Sequence, residues 1–98
     1  NDMSRVQLKD PNEIEVYTLD WDDETLAAGE TISTSAWAIE GGDSGTGTLV
    51  IDSNTNTTTT ASVTVSAGNK GQVYTLRNRI TTQSRTLDRS ISVRVENR

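Results

Sequence analysis

Asp20, Asp22, Asp23 and Glu24 crowd around Trp21, and carboxylate oxygens are the donors that a hard cation such as calcium takes. The ordered D-x-D-x-D-G pattern is missing and no glycine follows to make its tight turn, so the cluster reads as a solvated turn. Paired carboxylates also hydrolyse glycosides, provided that one of them is desolvated enough to stay protonated. A chain of 98 residues with short loops offers little concave surface for that. The sequence has no Cys and no His, which excludes thiol chemistry, disulfide frameworks, most zinc sites and His-based triads. No catalytic residue, cofactor or metal is expected, and the chain reads as a non-enzyme.

The densest basic group is Arg77, Arg79, Arg85 and Arg89. Nucleic-acid binding would want aromatics interleaved with these arginines, and Tyr74 falls on the opposite face of its strand. A net charge of −5 also opposes the counterion release on which phosphate binding depends. The four arginines, with Arg5, Leu8 and Lys9 from the N-terminal segment, therefore read as a protein-interaction surface or as intramolecular ion pairs. Charge is unevenly divided along the chain: residues 1–50 hold eleven acids against Arg5 and Lys9, whereas residues 51–98 hold seven bases against Asp52, Asp88 and Glu96. Such a division arises when neighbouring strands pair internally or when subunits dock head to tail. No apolar run reaches the length of a membrane span. Neither nucleic acid nor a membrane is an expected partner.

Short strands must position these side chains. Leu, Ile and Val number 20 and Phe is absent, so the core is thin, while 26 Ser and Thr residues favour strands over helices. Residues 1–12 are polar and of mixed charge as far as Pro11 and read as an arm or linker; residues 13–98 read as the domain. Ile14 and Val16 share one face of the first strand and Tyr17, Leu19 and Trp21 the other, a phase change that predicts a bulge or a crossing between sheets. Thr31–Glu40 alternates as a second strand with Trp37 and Ile39 on one face, and the glycine-rich stretch 41–47 is a loop. Leu49 and Ile51 lie in a short strand, followed by a polar run, 52–58, that is a loop or the start of an edge strand. Ala61, Val63 and Val65 make the next strand, and Gly68-Asn69-Lys70-Gly71 turns the chain. Tyr74, Leu76, Asn78 and Ile80 then face inward against Thr75, Arg77, Arg79 and Thr81. After a loop over 82–88, Ile91, Val93 and Val95 face inward from the last strand. The pattern predicts an all-β fold, an immunoglobulin-like antiparallel β-sandwich of about seven short strands, with a barrel as the alternative. Trp21, Trp37, Tyr74, Leu76, Ile80, Ile91 and Val93 are its expected core. Tyr74 falls where a tyrosine corner would, its hydroxyl bonding back to upstream backbone.

The segments Leu19-Asp20-Trp21, Gly29-Glu30-Thr31-Ile32, Ser35-Ala36-Trp37, residues 74–82 (YTLRNRITT) and Arg89-Ser90-Ile91 resemble the small Ig-like structural proteins of tailed bacteriophages, the fiber-tail adaptor and head-tail accessory family. The resemblance covers about residues 17–95 and departs from the pattern in the polar tract 52–60 and in the charged segment before Glu13. It implies a virion structural protein, assembled in the host cytoplasm, which binds portal, adaptor, fiber or capsid proteins, forms a symmetric oligomer in the particle and carries no catalytic position. The alternatives are a capsid decoration protein and a carbohydrate- or cell-surface-binding module, which would display aromatic side chains to solvent.

Overall fold

A computed structural model describes residues 6–23 and 25–96. Its strands in chain order are β1 (Val6–Lys9), β2 (Glu15–Asp20), β3 (Ile32–Glu40), β4 (Val50–Asn56), β5 (Thr60–Ser66), β6 (Val73–Thr82) and β7 (Thr86–Val95), and a 3-10 turn spans Trp21–Asp23. Two sheets face each other, ordered β1-β7-β6-β3 and β2-β5-β4. The chain crosses from one sheet to the other between β1 and β2, β2 and β3, β3 and β4, and β5 and β6, as an immunoglobulin-like sandwich requires.

The alternation of apolar and hydroxyl residues dictates these strands. On β5, Ala61, Val63 and Val65 are buried between half-buried Ser62, Thr64 and Ser66. Tyr74, Leu76, Asn78 and Ile80 of β6 and Ile91, Val93 and Val95 of β7 are buried in the same period of two. Trp21 is enclosed with them, whereas Trp37 and Ile39, on edge strand β3, pack only half-buried against the core margin. Tyr74 forms the expected corner: its hydroxyl accepts the Asn69 N–H at 3.0 Å.

The structure differs from the sequence reading at several places. Ile14 and Val16 bring no bulge or sheet crossing, because β2 pairs with β5 in unbroken register and simply turns Val16 outward while Tyr17 and Leu19 go in. Part of the expected arm is sheet: β1 lies parallel to β7, from Val6 beside Ser92 to Lys9 beside Val95, so one parallel pair joins the antiparallel ones. An edge position needs main-chain hydrogen bonds rather than apolar bulk, and polar composition alone could not reveal it. Of the two readings of the tract after Ile51, the edge strand holds: β4 runs to Asn56, with a register shift between Ile51 and Ser53. The loop expected over 82–88 is only three residues, 83–85, since strand pairing runs as far as Thr81 and Thr86.

Candidate docking surface

The strand registers define two ends of a molecule 41 Å long. At one, here the Lys9 end, Lys9 lies beside Val95, Glu40 beside Thr75, Val73 beside Arg94, Glu15 beside Val65 and Val50 beside Ser66. At the other, the Trp21 end, Asp20 lies beside Thr60, Ile32 beside Thr82 and Thr81 beside Thr86.

Hydrogen-bonded networks fill the Trp21 end. The indole N–H of Trp21 donates to Asn78 Oδ1 at 2.8 Å, and the Asn78 amide donates to Ser35 Oγ at 2.9 Å and to the Ala36 carbonyl at 3.0 Å. A buried asparagine is tolerated because each of its polar atoms is satisfied. Arg89 covers the Trp21 ring at 4.5 Å in a cation–π contact, donates to the Asp20 carbonyl at 3.2 Å and also meets the Thr25 hydroxyl. Glu30 is gripped by Arg85, whose Nε and Nη2 each lie 2.8 Å from a carboxylate oxygen, and by the Ala27 N–H and the Thr82 hydroxyl. The Arg85 guanidinium, with these further donors, holds the Glu30 carboxyl well below the usual carboxylate range.

The arginines of β6 are likewise occupied within the chain. Arg77 pairs with Glu40 at 2.9 Å, and Arg79 grips Asp88 through two bonds of 2.7 and 2.9 Å that depress the Asp88 pKa. The acidic half of the chain thus meets the basic half inside one molecule. Of the residues expected to contact partners, Arg77, Arg79, Arg85 and Arg89 have intramolecular roles, while Arg5 lies outside the described residues. Lys9 is buried rather than displayed: its ammonium donates to the Ala67 carbonyl at 2.6 Å and to the Asp10 carbonyl at 3.0 Å, closing the gap between the sheets. Burial lowers the Lys9 pKa, against the opposing pull of Glu13, Glu15, Asp10 and Asp52. In the acidic turn, Asp20 accepts the Asp22 N–H at 3.0 Å; Glu24 lies outside the described residues, and no three acidic side chains among the described ones are placed to share a metal.

The loop joining β3 to β4 is fixed at the Lys9 end. Tyr74 donates its hydroxyl to Asp43 Oδ1 at 2.5 Å, and Asn69 donates its amide to Asp43 Oδ2 at 2.6 Å. These donors, that of Tyr74 above all, depress the Asp43 pKa. Gly42, at φ +78°, sits on the Tyr74 ring so closely that a Cβ there would lie 2.4 Å from a ring carbon.

This end also leaves large apolar side chains exposed. Among the described residues the large exposed hydrophobic ones are Ile14 (68%), Val16 (60%), Leu8 (51%), Val73 (48%) and Val50 (46%), and these five belong to the Lys9 end. Val16 stands across from Thr64 and Val50 across from Ser66 on the outer face of the β2-β5-β4 sheet, with Ile14 two residues ahead of Val16. Leu8 and Val73 flank Arg94 on the outer face of the other sheet. Scattered single hydrophobic residues on a surface are ordinary; here they gather at one end, three on one outer face and two on the other. The phase change at Val16–Tyr17 was the sequence signal for this face, since apolar residues on both sides of one strand mark either a bulge or an exposed apolar row.

The family described as "Podophage GP4 fiber-tail adaptor protein gp77" matches this chain over residues 9–94. No curated protein and no solved structure matches significantly.

Proposed function

Because the chain belongs to the podophage fiber-tail adaptor family, we propose that it is a non-enzymatic virion protein that joins fiber to tail through the Lys9 end, using the opposite outer faces of the sandwich for the two unions. The collection at that end of the five large exposed apolar side chains among the described residues, divided between the two faces, is the observation that carries this reading. An adaptor has to hold two bodies at once, and two patches on opposite faces permit this without overlap. Sugar binding would want exposed aromatics, and here Tyr17, Trp21 and Tyr74 are buried and Trp37 half-buried.

Two double variants test the proposal in particles assembled without the native chain. Val16→Ser with Val50→Ser should block one union and Leu8→Ser with Val73→Ser the other, leaving either tails that carry this protein without fibers or protein–fiber complexes detached from tails. Exposed substitutions of this kind change stability by about 0.5 kcal/mol or less, so folding should survive both. Complete fibered particles from both variants would refute the assignment.

A further inference from the structure

We propose that the free edge of β3, from Thr34 to Ile39, takes an extended segment of another protein as an added strand. That segment is uncharged, with bulky side chains beside Ala36 and Ala38 and apolar ones beside Trp37 and Ile39. The contact is additional to the two unions above and does not depend on them.

Among the described residues, pairing leaves β1, β2, β3 and β4 at the sheet edges. An edge strand offers unpaired N–H and C=O groups to any other chain, and folds blunt it by shortness, charge or a bulge. β1 has four residues and ends in Lys9, β2 has six and is bounded by Glu15 and Asp20, and β4 carries Asp52 at its register shift between Ile51 and Ser53. β3 is the longest of the four, with nine residues. Its own register shift lies at its start, between Ile32 and Thr34, where the Ile32 N–H is taken by the Thr58 carbonyl at 2.9 Å. From Thr34 to Ile39 it pairs with β6 in unbroken register and contains no charge, proline or glycine. Glu40, the one charge on β3, lies beyond that run and is paired with Arg77.

The side chains along this edge define its occupant. Trp37 and Ile39 stand across from buried Asn78 and Leu76 and so share the inner row, where with Ile51 of β4 they are only half-buried. Apolar side chains of an added strand would complete their cover. Ala36 and Ala38 stand across from Arg79 and Arg77 on the outer row, and their small size leaves room beside them for aromatic or β-branched neighbours. A two-fold pairing with a second copy fits less well. With each face kept on its own side, the β3 of that copy can set only Thr34, Ala36, Ala38 or Glu40 against Ala36, and none of these is a bulky apolar side chain.

Tryptophan emission reads the test in the full chain, because Trp21 is enclosed while Trp37 is half-exposed. The probe is the peptide Lys-Thr-Phe-Val-Phe-Val-Thr-Lys, whose terminal lysines keep it soluble, together with two forms N-methylated at alternate residues so that each blocks one edge of the strand. The parent peptide should shield Trp37 from acrylamide. One methylated form should bind about tenfold more weakly or worse and the other like the parent, since only one edge of the peptide meets β3. Ala36→Lys places a charge at an exposed edge position and should weaken binding of the parent peptide to a similar extent. In assembled particles, the main-chain N–H groups of residues 34–39 should exchange with solvent about tenfold more slowly than in the free chain. No shielding of Trp37 at millimolar peptide, parent-like binding of both methylated forms, wild-type binding by Ala36→Lys, or unchanged exchange in the particle would each overturn the proposal. A dimer of the chain alone that Ala36→Lys abolishes would assign the edge to a second copy instead.

Discussion

At the Trp21 end, Glu30, Arg85, Arg89, Asn78 and the indole are tied to one another or to main chain; at the Lys9 end, similar networks around Tyr74 and Lys9 sit beneath a surface that keeps large apolar side chains exposed. One end has absorbed its chemistry into the fold, and the other keeps large apolar side chains exposed. The arginines drew attention in the sequence because charge is conspicuous, yet Arg77 and Arg85 pair with Glu40 and Glu30 from the acidic half of the chain and Arg79 with Asp88 on the neighbouring strand. The docking proposal therefore rests on the exposed apolar side chains rather than on charge density. The ends are also separated enough to act independently, since the molecule is 41 Å long and salt screens charges over about 8 Å under physiological conditions.

The comparison can be broken most severely at Trp21. Trp21→Ala should cost about 3–5 kcal/mol, most of what a small domain possesses, by leaving a cavity and orphaning Asn78. Trp37→Ala should cost less, because that ring is only half-buried and its enclosed N–H has no hydrogen-bond partner among the described residues to lose. Denaturant titration of the two variants ranks them, and equal losses would mean that the β3 edge is as firmly packed as the Trp21 end.

Acid should have the next largest effect. Glu30, Asp43 and Asp88 have folded-state pKa values below those of the unfolded chain, so their stabilisation is complete above the ordinary carboxylate range near 4 and is lost as pH falls below it toward the folded values. Thermal midpoints should hold from pH 7 to about 5 and drop progressively below about 4. Glu30→Gln should flatten that drop; an unaltered acid limb would show that the Arg85 grip contributes little.

Much of this was legible in the chain. The alternations at Ala61–Val65, Tyr74–Ile80 and Ile91–Val95 specify their buried faces, and even Asn78 falls on the inward one. The corner at Tyr74 could be read because a turn sequence just before a strand constrains where its hydroxyl can reach. The inward burial of Lys9 and the pairing of Arg85 with Glu30 could not, since each depends on contact across 58 or 55 residues of chain. Parallel β1 was hidden for the same reason: its register with β7 is a long-range property, and its four residues carry no pattern long enough to show a period.

Smaller effects sharpen the contrast at the Lys9 end. Tyr74→Phe should cost about 1–3 kcal/mol, because it strands the Asn69 N–H and removes a charge-assisted bond to Asp43. Urea unfolding measures this directly, and a loss near zero would mean that the β3–β4 loop is held by Asn69 without the tyrosine.

Since the chain has no cysteine, a single introduced thiol reports its own surroundings without interference. The most direct test of the docking end is maleimide labelling of Val16→Cys and of Ala28→Cys, an exposed position toward the Trp21 end, in the free protein and in assembled particles. Both thiols should react freely in isolation. In the particle, Cys at position 16 should be protected while Cys at position 28 stays reactive; protection of position 28 with position 16 still open would place the interface at the wrong end and contradict the account.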